Sequence, residues 1–98
     1  ESVMNAILEL VRSGRPGESQ VQDVNDHVAW GPGPRASQAL MLAVRARAVI
    51  GGRLAPSVDD VLALAQPILR HRMALNFAAR AEGITMTKVI DTLAARIG

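Results

Sequence analysis

Arg35 is the residue in this chain best placed to do chemistry. It closes the run Gly31-Pro32-Gly33-Pro34-Arg35, which joins two conformationally restricting prolines, two permissive glycines and one cation directly ahead of a long apolar segment. Proline fixes φ and suits the first helical position, while the residue before it is biased away from the α region. Gly33 therefore reads as an N-cap, with Pro34 at N1 and Arg35 at N2 of a helix that runs to Ile50. A cation in the first turn opposes the helix macrodipole, so Arg35 is poorly placed for helix stability. A stiff loop that delivers a guanidinium to that position implies that Arg35 is held there to meet an anion.

Other chemistries find little support. There is no Gly-x-x-x-x-Gly-Lys-Ser/Thr run to cradle phosphates, and Gly51-Gly52-Arg53 reads as a helix stop. His27 and His71 are the only histidines, with no cysteine anywhere in the chain and no acid-rich cluster beside them, so metal ligation is not expected. Asp59 and Asp60 are explained by the start of a helix, where carboxylates offset the dipole. Ser37 has neither a nucleophile-elbow context nor a base. Arg70-His71-Arg72 reads either as a solvated or carboxylate-paired helix end, or as a basic patch facing a phosphate or a neighbouring domain.

The charge balance points the same way. The pI is about 10.4, yet the net charge is only +2, with ten arginines and Lys88 against nine carboxylates. With no tyrosine or cysteine, almost nothing titrates between pH 7 and 12, and a small excess of cations carries the pI far upward. Acids and bases are interspersed, so no nucleic-acid footprint emerges. The absence of cysteine fits a cytoplasmic protein. No apolar run exceeds Ala39–Val44, and none could insert into a membrane.

The elements that must position Arg35 are helical. Apolar residues make up 49% of the 98, but only Trp30 and Phe77 are aromatic, and alanine supplies much of the rest; this favours closely packed helices. The chain begins at Glu1 rather than Met, and we expect one domain over residues 1–98 that is a piece of something longer. Val3, Ile7, Leu10 and Val11 predict a helix over 2–13, capped by Ser2 and stopped by Gly14-Arg15-Pro16-Gly17. One helical turn is expected near 21–26, then an extended Val28-Ala29-Trp30, with Trp30 plugging the core. The helix over 34–50 carries apolar residues around most of its circumference and is expected to be central and buried. Its polar exceptions Arg35, Gln38 and Arg45 form one stripe, with Arg47 off it. Gly51-Gly52 ends that helix, and Ser57-Val58-Asp59-Asp60 starts another that stops near Pro67. Residues 68–77 are ambiguous: Leu69, Met73 and Phe77 suit a helix, Met73, Leu75 and Phe77 a strand, and a helix with a break is preferred. Thr85 or Thr87 caps a last helix with Val89, Ile90, Leu93 and Ile97 on its apolar face. The fold class is all-α, a small four- to five-helix bundle with a central buried helix.

These residues resemble the C-terminal helical lid of MoxR-type AAA+ ATPases. The run Gly31-Pro32-Gly33-Pro34-Arg35-Ala36-Ser37 is similar to that family's Gly-Ala-Ser-Pro-Arg-Ala-Ser signature, with Pro32 in place of the usual alanine and Gly33 in place of the usual serine cap. Leu10-Val11-Arg12 with Arg15-Pro16, Gly52-Arg53 ahead of Asp60-Val61, and Leu69-Arg70-His71-Arg72 also match, in order, across essentially the whole chain. The resemblance implies that Arg35 is the sensor-2 residue reaching the γ-phosphate of ATP, with Gly33, Pro34 and Ala36 as its nucleotide-facing neighbours. It implies ATP and Mg2+ held mainly by a preceding core domain, which would supply the missing phosphate loop. It further implies ring oligomers whose neighbouring subunits contact the lid, and chaperone-like remodelling of partner proteins, often with von Willebrand A domains. No activity is expected of the 98 residues alone. Two other readings stay open: a stand-alone helical bundle that binds an acidic partner, and a helix-turn-helix module over 34–66. The second is weakened by Asp59 and Asp60, which would repel DNA phosphates.

Overall fold

The computed structural model describes residues 2–97. The elements in order are α1 (Ser2–Ser13), α2 (Gln22–His27), β1 (Val28–Trp30), α3 (Pro34–Ile50), α4 (Val58–Leu69), β2 (Ala74–Leu75), α5 (Phe77–Ala81) and α6 (Met86–Ile97). The four long helices α1, α3, α4 and α6 form the body, with α4 packed on α3, α6 and α1. The short elements α2, β1, β2 and α5 pack on one another beside it.

Each long helix buries the stripe that its apolar spacing dictates. Ala6, Ile7, Leu10 and Val11 turn inward from α1, Val61, Ala65 and Leu69 from α4, and Val89, Ile90 and Leu93 from α6. Ser2 lies inside the first turn of α1 rather than ahead of it. Thr85 caps α6, its hydroxyl accepting from the Lys88 N–H at 3.2 Å, and Gly83 precedes it at φ 75°.

The expected central, buried α3 is buried along one face only. Its buried residues are Ala36, Leu40, Val44 and Ala48, one stripe at every fourth position. Leu42, Val49 and Ile50 are 68, 73 and 87% exposed. Two helices, α1 and α4, pack against α3, and two neighbours cannot cover a full circumference. Trp30 is likewise no core plug: it is 57% exposed. A regular strand would put Trp30 on the same face as the buried Val28, but the β1 ladder is irregular between these two residues, which breaks the alternation.

Two expectations about the middle of the chain also need correction. Pro67 does not stop α4, which continues to the fully buried Leu69. A proline there removes one N–H, which would have bonded back to Ala63. Both residues lie on the exposed side of the helix, where water can serve the freed carbonyl. Residues 68–77 are not a broken helix. After Leu69 the chain turns and pairs antiparallel with β1, Val28 opposite Leu75 and Trp30 opposite Ala74. Asn76 seals this junction: its N–H donates to the His27 carbonyl at 2.9 Å, its Nδ2 to the Asp26 carbonyl at 2.7 Å, and its Oδ1 accepts the Ala79 N–H that caps α5.

Candidate functional site

Arg35 sits at N2 of α3, as the prolines and glycines require. Gly33 is the N-cap with φ −86° and ψ −175°, and Pro34 opens the helix. Gly33, Pro34 and Arg35 are exposed. The Ala36 side chain is fully buried in the core, and its N–H donates to the Gly33 carbonyl at 3.0 Å. Pro34 has no N–H to give, so the guanidinium of Arg35 is the strongest anion-binding group at this helix start.

The ion pairs among the described residues leave Arg35 unengaged. Arg12 and Arg96 pair with Glu9, Arg15 with Glu18, and Arg47 and Arg53 with Asp60. Ser37, a little over half a turn round the helix from Arg35, faces the other way into a shallow groove with Leu8, Val11, Arg12 and Arg15. Arg45 is exposed on α3 and Arg70 lies at the far end of α4, where its Nη2 is 3.4 Å from the Thr87 hydroxyl.

The loop that carries Arg35 is seated on the end of α1. Pro32 is fully buried. A Cβ placed on Gly14 would meet the Pro32 ring at 3.0 and 3.2 Å, so the ring lies flat against that glycine. Gly31 approaches even more closely: a Cβ there would fall 2.2 Å from the Gly14 carbonyl oxygen and 2.8 Å from the Arg15 Cα. Side chains are absent where two backbones touch, which gives both glycines a steric reason. The Arg15 Nε–H donates to the Pro32 carbonyl at 2.9 Å.

A second polar constellation holds α3 to α4. Asp60 has no exposed surface. Its carboxylate accepts two bonds from Arg53, both at 2.7 Å, and one from Arg47 at 2.6 Å. The Ser57 N–H donates to it at 2.8 Å, the reciprocal half of a capping arrangement. The Arg53 guanidinium, the Ser57 N–H and Arg47 together hold the Asp60 carboxyl far below the usual carboxylate range. Sequence reasoning explained Asp60 by the helix terminus alone. The missed signal was the pair of arginines that flank the Gly-Gly stop, Arg47 at the end of α3 and Arg53 in the turn ahead of α4. Both are thus committed to Asp60.

His27 is the third site that sequence patterns left without a role. It is buried, and its Nε2 lies 3.0 Å from Glu82 while Nδ1 has no hydrogen-bond partner. Asp23 stands 3.9 Å from Nδ1. No group of three or more metal-ligating side chains occurs among the described residues, and no helix there is long and apolar enough to cross a membrane.

Residues 20–93 match the family model of the AAA lid domain. The chain belongs to that family. This lid domain is 35% identical over 77 residues to Chaperone MoxR1 of Mycobacterium tuberculosis, an alignment that covers 79% of the lid and 20% of MoxR1. A 2.00 Å crystal structure from Cytophaga hutchinsonii, assigned as an ATPase, superposes with a TM-score of 0.91 at 31% identity, covering 100% of the lid and 30% of that chain. The lid thus spans less than a third of the length of either relative.

Proposed function

We propose that this lid domain supplies a sensor-2 arginine, Arg35, to ATP bound by an AAA+ core domain of the MoxR type. What carries the reading is an exposed arginine with no ion pair among the described residues, held at N2 of α3 by a loop closely seated through Gly31 and the buried Pro32, in a chain of the AAA lid family. Guanidinium matches phosphate oxygens bidentately and stays charged at every relevant pH. Placed against developing charge in a closed site, such a donor contributes on the order of 10²–10³ in rate. ATP and Mg2+ would be bound mainly by the core, so the 98 residues alone would not hydrolyse nucleotide. Rotation of the lid after hydrolysis would alter packing against neighbouring subunits of a ring and so drive chaperone-like work on partner proteins, von Willebrand A domain proteins among them, in the cytoplasm.

The test is Arg35→Ala in the ATPase polypeptide that carries this lid. The isolated lid should keep its stability within about ±0.5 kcal/mol, as for other exposed positions. ATP turnover should fall by on the order of 10²–10³. Turnover equal to that of the unsubstituted enzyme would refute the assignment.

A further inference from the structure

We propose that Arg15 is a positioning residue for Arg35, acting through the Pro32 carbonyl. Between β1 and α3 the chain has few soft dihedrals. Pro32 and Pro34 each fix their own φ, and Gly33 between them is the one joint with wide conformational freedom. Gly33 is itself fixed as N-cap by the bond from the Ala36 N–H to its carbonyl at 3.0 Å. The orientation of the peptide plane linking Pro32 to Gly33 therefore bears on how the first turn of α3 is seated and, two residues on, where Arg35 points. That plane is held by one directional contact, the 2.9 Å bond from the Arg15 Nε–H to the Pro32 carbonyl. Gly31 and the Pro32 ring rest on Gly14 by shape alone.

The bond is built to be retained. The Arg15 side chain is 30% exposed and its guanidinium end is steadied by Glu18 at 3.8 Å. The donor is Nε, the innermost nitrogen, so the contact depends on the stem of the side chain rather than on its charged tip. Arg15 also sits in the turn that ends α1, with its own N–H bonded to the Arg12 carbonyl at 3.1 Å. A shift or rotation of the end of α1 is thereby passed to the peptide ahead of Arg35. The inference rests on the anion-facing reading of Arg35 for its catalytic consequence, and on geometry alone for the mechanical link.

Two substitutions at Arg15 separate the held carbonyl from the charge. Arg15→Met keeps an unbranched stem and removes the donor. Arg15→Gln keeps an N–H at the same number of bonds from the backbone as Nε, and loses both the charge and the Glu18 pair. In the ATPase polypeptide, Arg15→Met should reduce kcat roughly 10- to 100-fold, the range expected when a catalytic group is displaced by about 1 Å. Arg15→Gln should recover most of that loss, and Glu18→Gln should match the unsubstituted enzyme. In the isolated lid, amide NMR shifts of residues 33–37 should move in Arg15→Met and return in Arg15→Gln. Equal impairment by Met and Gln would assign the effect to the guanidinium charge and overturn the proposal. So would unchanged turnover and unchanged amide shifts in Arg15→Met when Arg35→Ala is crippled, an outcome that leaves the nucleotide reading standing. If Arg35→Ala itself turns over normally, the nucleotide reading fails, and the amide shifts alone decide whether Arg15 holds the loop. Loss of cooperative unfolding in both Arg15 variants would make Arg15 a folding residue and overturn its positioning role.

Discussion

Gly31→Ala should be among the most damaging methyl additions possible in this domain. The added Cβ would lie 2.2 Å from the Gly14 carbonyl oxygen, about 1.2 Å short of ordinary contact, and within 2.8 Å of two further backbone atoms. All three obstacles are main-chain atoms of the turn that ends α1, so no side-chain rotation relieves the overlap. Either that turn or the loop must move by about an ångström. Overpacking a tight site costs about 1–3 kcal/mol, and a clash against backbone on both sides belongs at the upper end. For a domain of this size each kcal/mol lowers Tm by about 4–8 °C, so a drop of roughly 12–24 °C is expected. Circular dichroism melts and urea titrations of the isolated lid measure it, with amide NMR shifts expected at residues 14–15 and 33–37 together. A variant melting within about 4 °C of the parent would show that the close approach of the two backbones does not exist in solution, and with it the seating of Arg35.

Gly33→Ser should raise stability by a few tenths of a kcal/mol, because serine is the better N-cap, the backbone there already has an ordinary negative φ, and a Cβ meets nothing within 4 Å; a destabilised variant in urea titration would contradict the cap assignment. Leu40→Ala should cost about 2–5 kcal/mol as a buried truncation, whereas Leu42→Ala, one helical face away, should stay within about 0.5 kcal/mol; similar losses at both positions would restore the view of α3 as buried all round. Asp60→Asn should destabilise the lid at neutral pH and much less in acid. The folded-state pKa of Asp60 is depressed, so its contribution is complete above the unfolded-state value near 4 and is lost as pH falls toward the folded-state value. Urea titrations of both proteins from pH 7 down to about 2.5 should therefore show the gap narrow below about pH 4 without closing, and a gap that stays constant with pH would refute the paired-carboxylate reading.

Local signals decided most of what could be read from the residues. The bounds of α3 follow from Gly33-Pro34 at one end and Gly51-Gly52 at the other, and the structure places them at Pro34 and Ile50. The buried stripes of α1 and α6 follow from apolar spacing. The long-range features were not legible. Ala74-Leu75 becomes a strand only because Val28 and Trp30 lie across from it, a pairing that no window over 68–77 contains. The exposure of Trp30 depends on an irregularity in the same ladder. Apolar content placed α3 in the interior, but burial depends on how many neighbours surround a helix, and the composition of one helix does not state that number. In the proposed site, Arg35 was legible because its oddity is local, a cation opposing its own helix. The contact of Arg15 with Pro32 spans 17 residues, and the three-residue cluster on Asp60 joins two arms of a hairpin.

The exposed position of Trp30 has a practical consequence. It is the sole tryptophan of the chain and it lies directly ahead of the seated loop, with more than half its surface in solvent. Its indole emission will therefore respond to what happens at Gly31 and Pro32. The domain thus carries its own optical reporter beside Arg35, and in the isolated lid a change in emission on substituting Gly31 or Arg15 would follow the seating of that arginine without any introduced label.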